Sequence, residues 1–181
     1  MSRKEKILKK AAKLFSQYSY HGLSMAKLAK SLKVSKSLLF YHFKNKVTLY
    51  KEMLKTAFQN IIDSLKMVSQ NSLPAEEKLK KLIFSYSQTL AKEENLIRLW
   101  FFETSSQTKA IQSLLKKLRN EIIDQFSQVI KEGIKRKEFK KSNAKRLASS
   151  LLSLMDGFLY QRGNKGRIKE TIELLLKGLK S

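Results

Sequence analysis

Residues 24–46 read SMAKLAKSLKVSKSLLFYHFKNK, and their spacing is that of two short helices joined by a tight turn, with a third helix starting at once. Met25, Leu28, Ala29 and Leu32 fall at offsets of 0, 3, 4 and 7, one apolar stripe on a helix. Lys33-Val34-Ser35 interrupts that stripe. Ser35 then suits an N-cap, because its hydroxyl can accept a backbone N–H that the first helical turn leaves unpaired. Leu39 and Phe43 lie four apart on the second helix, and Asn45 is placed to cap the next. A small Ala29 at the crossing, Val34 after the turn and Leu39 five residues on suit two helices meeting at a steep angle. The stretch is therefore predicted to be a helix-turn-helix, the arrangement that sets a helix into the major groove of DNA.

Outward from this unit, the charge pattern agrees. The net charge is +23, and residues 1–50 carry 12 Lys and Arg against one acid, Glu5. Residues 51–181 carry 26 against 14, so net positive charge is more than twice as dense around the helix-turn-helix. Such a patch attracts phosphates and releases their counterions. Lys outnumbers Arg 31 to 7, a bias that also suits base composition, so the even excess over the rest of the chain carries less meaning. There is no cysteine, which excludes disulfides and thiolate metal sites and fits a cytoplasmic protein. No run of about 18 apolar residues exists to cross a membrane, and the charged start MSRKEKILKKAAKLF does not read as a signal peptide.

A first helix over roughly Lys4–Tyr18 turns Ile7, Leu8, Ala11, Leu14 and Phe15 inward and Lys6, Lys9, Lys10 and Lys13 outward. Leu8, Phe15, Leu28, Leu39 and Phe43 then form the core of a three-helix unit. From Ile7 to Tyr50 the matching pieces are Ile7-Leu8, Ala11-Ala12, Leu14-Phe15, Tyr20, Ser24-Met25, Leu28-Ala29, Val34-Ser35-Lys36, Leu39 and Tyr41-His42-Phe43-Lys44-Asn45-Lys46. On these residues the chain resembles the DNA-binding domain of the TetR family of bacterial transcriptional regulators. The family commonly has Gly where Ser19 and Lys33 stand, Thr at Leu23 and Leu38, and Tyr at Phe40. A left-handed Lys33 would cost up to about 1–2 kcal/mol relative to Gly.

On the second helix of the pair, Lys36 and Ser37 are placed for base edges, Lys suiting guanine O6 and N7, while Leu38 and Phe40 suit a thymine methyl. The resemblance implies that Tyr41, His42 and Lys46 clamp phosphates; Ser24 adds a neutral donor. His42 also suits packing or capping. Adjacent Phe40 and Tyr41 cannot both face inward, so at least one is exposed.

The rest of the chain reads as helices over about 46–67, 75–91, 108–136 and two more beyond Asn143, with Pro74 and Ser72 opening the one at 75. The segment Asn95–Glu103 is apolar on every side. The expected fold is all-α, with about nine helices: a three-helix DNA-binding domain over 1–48, then a larger helical effector-binding and dimerisation domain over 49–181. The apolar faces of the last two helices suit a homodimer built as a four-helix interface. GIKRKEFKKSNAKRLASSLLSLMDGFLY resembles the matching region of the family. Two copies would set their reading helices one DNA turn apart on a palindromic operator.

The resemblance further implies a small-molecule cavity. Its candidate lining is Tyr86, Trp100, Phe101, Glu103, Phe126, Met155 and Phe158, with Met67 near the mouth; the same residues also suit ordinary core packing. Glu103 beside aromatic walls suits a cationic effector, and greasy walls suit a lipophilic one. The expectation is a homodimeric repressor released from double-stranded DNA by such a ligand. The competing expectation is a DNA-bound adaptor or nucleoid-associated protein controlled by a protein partner. An enzyme is excluded by the want of a Gly-rich phosphate loop, of metal-ligand spacing, and of any histidine beyond His21 and His42; no cofactor is expected.

Overall fold

The computed structural model describes residues 2–92, 108–160 and 165–180. Among them are eight helices: α1 Arg3–Tyr18, α2 Met25–Leu32, α3 Lys36–His42, α4 Lys46–Ser69, α5 Ala75–Lys92, α6 Lys109–Lys135, α7 Ala144–Tyr160 and α8 Lys165–Leu179. The fold is all-α, as the periodicity predicts. The segment Asn95–Glu103, with Trp100, Phe101 and Glu103, lies outside the described residues.

Helix starts follow from side-chain oxygens that accept otherwise unpaired N–H groups. Ser2 and Glu5 form a reciprocal capping box on α1. Ser24 accepts from Lys27 N–H, Ser35 from Leu38 N–H, Asn45 from Thr48 N–H and Asn143 from Arg146 N–H. The start of α5 differs from expectation. The free N–H of Glu76 donates not to Ser72 but to the carboxylate of Glu138, at 3.2 Å. An acidic group from beyond α6 suits the positive end of α5.

The helices fall into two compact units. One gathers α1–α3, α4 as far as Asn60 and the start of α6; the other gathers Ile61–Lys92 and the chain from Arg119 onward. In the first unit Leu8, Ala11, Phe15, Leu28, Leu39 and Phe43 are buried together with Tyr20, Leu49 and Tyr50. Phe15 meets Tyr50 edge-on at 4.7 Å between ring centroids, and Tyr20 meets Tyr50 at 5.0 Å. Val34 is half-buried. The two turns carry positive φ: Lys33 sits in the left-handed region at φ 55° and ψ 46°, and Ser19 lies at φ 59° and ψ 171°. These are the two positions at which the resembling family has glycine, and the physical reason is the one glycine usually answers.

In the second unit Ile61, Leu65, Leu79, Leu82, Phe126, Val129, Leu152 and Met155 are buried. Lys137, at φ 61°, turns the chain after α6 so that Phe139 packs over Gly133, where a Cβ would overlap its ring. Phe139 pairs with Lys180 in an antiparallel bridge, and Lys140 N–H donates to the Leu179 carbonyl at 2.8 Å. Buried Lys78 is paired with Glu132 at 2.7 Å, and Glu132 also takes Arg136.

Candidate nucleic-acid interface and buried polar centre

Seven residues make α3, too few to be stable as an isolated helix. It is held by Leu39, fully buried on one face, and by Phe43, which closes its C-terminal end and is also fully buried. With that face fixed, the opposite face is turned out. Lys36 and Ser37 are exposed in the first turn, and the Ser37 hydroxyl donates to Ser35 Oγ at 3.2 Å. Leu38 is half-buried. Phe40 is 44% exposed and Tyr41 83%, a large outlay of aromatic surface on a short helix. Both adjacent aromatics therefore face out, where the spacing required only one. His42 is half-buried, its ring 5.2 Å from that of Tyr41 and 6.0 Å from that of Phe43. Ser24 is exposed; its oxygen caps α2 and its own hydroxyl hydrogen is left to donate.

Lys46 stands apart from the rest of this set. Its ammonium donates to the carbonyl oxygens of Tyr20, at 3.1 Å, and Leu23, at 3.0 Å, and lies 4.2 Å from the centre of the Tyr20 ring. Burial lowers its pKa below the ordinary lysine value. Nothing in the sequence signals this, because the acceptors are main-chain atoms 26 and 23 residues earlier.

In the second unit Tyr86, Phe126 and Met155 are buried and Phe158 is half-buried, while Met67 is 77% exposed. The Tyr86 and Phe126 rings meet edge-on at 6.1 Å. The Tyr86 hydroxyl donates to Asp156 Oδ1 at 2.6 Å, and the other Asp156 oxygen takes Arg119. Arg119 reaches Ser153 Oγ as well. Burial, then the Asp156 charge, raises the Tyr86 phenol well above its usual range, with Arg119 opposing. This buried acid–base–phenol centre was not expected from spacing, although an Asp on the stripe that holds Leu152 and Met155 is the available signal. The hydroxyls of Ser87 and Ser127, each next in sequence to a ring of that pair, are buried without a hydrogen-bond partner. Among the described residues no group of three His, Cys, Asp or Glu could hold a metal, and no helix is long and apolar enough to cross a membrane.

Comparison with known proteins decides the lineage. Residues 7–53 match the family of bacterial regulatory proteins, tetR family, and residues 72–159 match the tetracyclin repressor-like C-terminal domain. The chain belongs to the TetR family. It is thus a helix-turn-helix transcriptional regulator, in a family of regulators and not of enzymes. This TetR-family chain is 26% identical over 179 residues to the uncharacterized HTH-type transcriptional regulator YhgD of Bacillus subtilis, covering 98% of the chain and 94% of that protein. It is 30% identical over 97 residues to the biofilm operon icaADBC negative transcriptional regulator IcaR of Staphylococcus aureus, covering 54% of the chain and 51% of IcaR. Its fold is similar to that of FadR from Bacillus subtilis, solved in complex with stearoyl-CoA: TM-score 0.85, 18% identity, 97% of this chain and 98% of that one.

Proposed function

We propose that the protein is a homodimeric repressor that binds a palindromic operator and is released by a small lipophilic effector. Residues 1–48 act as the reading domain and 49–181 as the effector and dimerisation domain. The observation that carries the DNA half is the outward face of α3, where Lys36, Ser37, Phe40 and Tyr41 are exposed together on a helix fixed by Leu39 and Phe43. Lys36 and Ser37 read base edges, Leu38 and Phe40 meet thymine methyls, and Tyr41, His42 and Ser24 hold phosphates. α7 and α8 pair with their copies in the dimer, with Leu154 and Leu174 exposed for that contact.

For the effector, Tyr86, Phe126, Met155 and Phe158 supply an aromatic and thioether lining; the other expected lining residues, Trp100, Phe101 and Glu103, lie outside the described residues. A lipophilic ligand is favoured over a cationic one because the buried carboxylate of the described residues, Asp156, is already paired with Arg119. The stearoyl-CoA complex of the structurally similar FadR makes a long-chain acyl-CoA the first compound to try. Ligand binding shifts the population toward a state in which α4 has pivoted and the two reading helices no longer match one operator.

The test is operator binding by fluorescence anisotropy, with footprinting to define the site, in the presence and absence of stearoyl-CoA, shorter acyl-CoAs and lipophilic cations. Symmetric protection and an affinity lowered by one of them support the reading. Affinity unmoved by all would transfer the control to a protein partner, as in the adaptor alternative. An asymmetric footprint would remove the dimer.

A further inference from the structure

Lys46 is the first residue of α4, and a cation there faces the positive end of the helix dipole, a position that favours acids. Something offsets that cost. Two of the three ammonium N–H groups are given to the Tyr20 and Leu23 carbonyls, and the charge lies over the Tyr20 ring at 4.2 Å. Both carbonyls belong to the connection between α1 and α2. Leu23 immediately precedes Ser24, whose side chain caps α2. One turn further along α4, the Tyr50 ring packs on the same Tyr20 at 5.0 Å. The first turn of α4 therefore grips the α1–α2 connection twice, once by charge and once by an aromatic edge.

We propose that Lys46 is a positioning residue, a clasp that ties the start of α4 to the entry of α2, so that displacement of α4 is passed to the helix-turn-helix through the Tyr20 and Leu23 carbonyls. In this reading its partners lie within the protein rather than on a phosphate: two of its three N–H groups and its aromatic contact are already engaged there. The proposal rests on the DNA-binding reading above for its effect on operator affinity, though not for the clasp itself.

The experiment compares the wild-type protein with Lys46→Met, which keeps the apolar stem and removes the charge, and with Lys46→Gln, which keeps one donor. Hydrogen exchange is followed on residues 19–24 of the free protein, and operator affinity is measured across a salt series. The clasp predicts at least about tenfold faster exchange over 19–24 in Lys46→Met, with partial recovery in Lys46→Gln, since bonds to charged donors are the strong ones. It also predicts a roughly tenfold loss of affinity with an unchanged dependence on salt. A phosphate contact predicts the reverse: unaltered exchange, and a slope of log K on log[salt] reduced by about 0.9 for each protomer. Either of those results overturns the proposal. If the wild-type protein binds no duplex, the DNA reading fails, and the exchange data alone still decide for or against the clasp.

Discussion

Replacing Tyr86 by Phe removes one oxygen from the interior and nothing else. In the wild-type protein that hydroxyl donates to Asp156 Oδ1 at 2.6 Å, from a side chain 2% exposed, so no water is at hand to replace the bond. A hydrogen bond to a charged acceptor contributes about 1.5–3 kcal/mol. Arg119 remains on the other Asp156 oxygen, which keeps the carboxylate neutralised and places the expected loss near the middle, about 2 kcal/mol. For a chain of this length that is a fall of roughly 4–8 °C in Tm. Asp156→Ala should cost more, about 3 kcal/mol or above, because it leaves both the phenol and the Arg119 guanidinium without their acceptor. Arg119 retains 18% exposure and the Ser153 hydroxyl, which holds the figure toward the lower end. The assay is urea unfolding at one fixed protein concentration, since association would otherwise move the midpoint. Tyr86→Phe and Asp156→Asn, singly and together, complete a double-mutant cycle, in which coupling of about 1–2 kcal/mol is expected. A Tyr86→Phe protein within about 1 °C of wild type, or additive effects in the cycle, would refute the view of a coupled buried centre.

Raising pH tests the same centre by another route. The folded Tyr86 phenol ionises well above the ordinary 10.0, so its contribution is complete below about pH 10 and is lost as pH climbs toward the folded value. Wild-type protein should show a tyrosinate absorbance step that coincides with alkaline unfolding and is smaller by one phenol in Tyr86→Phe. Lys33→Gly relieves a left-handed side chain and should stabilise by about 1 kcal/mol in thermal melts, with Ser19→Gly acting likewise. Gly133→Ala forces a Cβ into the Phe139 ring and should destabilise by about 1–3 kcal/mol, read as an earlier urea midpoint. Lys36→Ala should lose about 1–3 kcal/mol at one base position and flatten preference there, whereas Tyr41→Phe should weaken all sequences alike; a panel of base-substituted duplexes separates them.

What could be read in advance was local. Ser24, Ser35, Asn45 and Asn143 cap helices through N–H groups three residues away, and Leu39 and Phe43 anchor α3 by spacing four apart. Short-range rules suffice for such features. The centre of Tyr86, Arg119 and Asp156 joins residues 37 and 70 positions apart, so no window on the chain contains it. The Glu138 cap on α5 spans 62 positions and escaped notice for the same reason. The resemblance points Lys46 toward a phosphate, and only the path of the α1–α2 connection reveals the main-chain acceptors beside it. Phe40 and Tyr41 lie between these cases. The helical period shows that they cannot share an inward face, but not that both would be turned out.

Beyond α6 the chain is latched. Lys140, just ahead of α7, is bonded to Leu179 at the close of α8, and Lys180 reaches on to Glu76 at 3.1 Å. The last two helices are therefore shackled at the open end of their hairpin, so neither can slide past the other without unhooking a main-chain bond. A pair so restrained would act as a rigid hub, leaving excursions to the helices nearer the N-terminus. Excising the few residues after Lys177 would free that end.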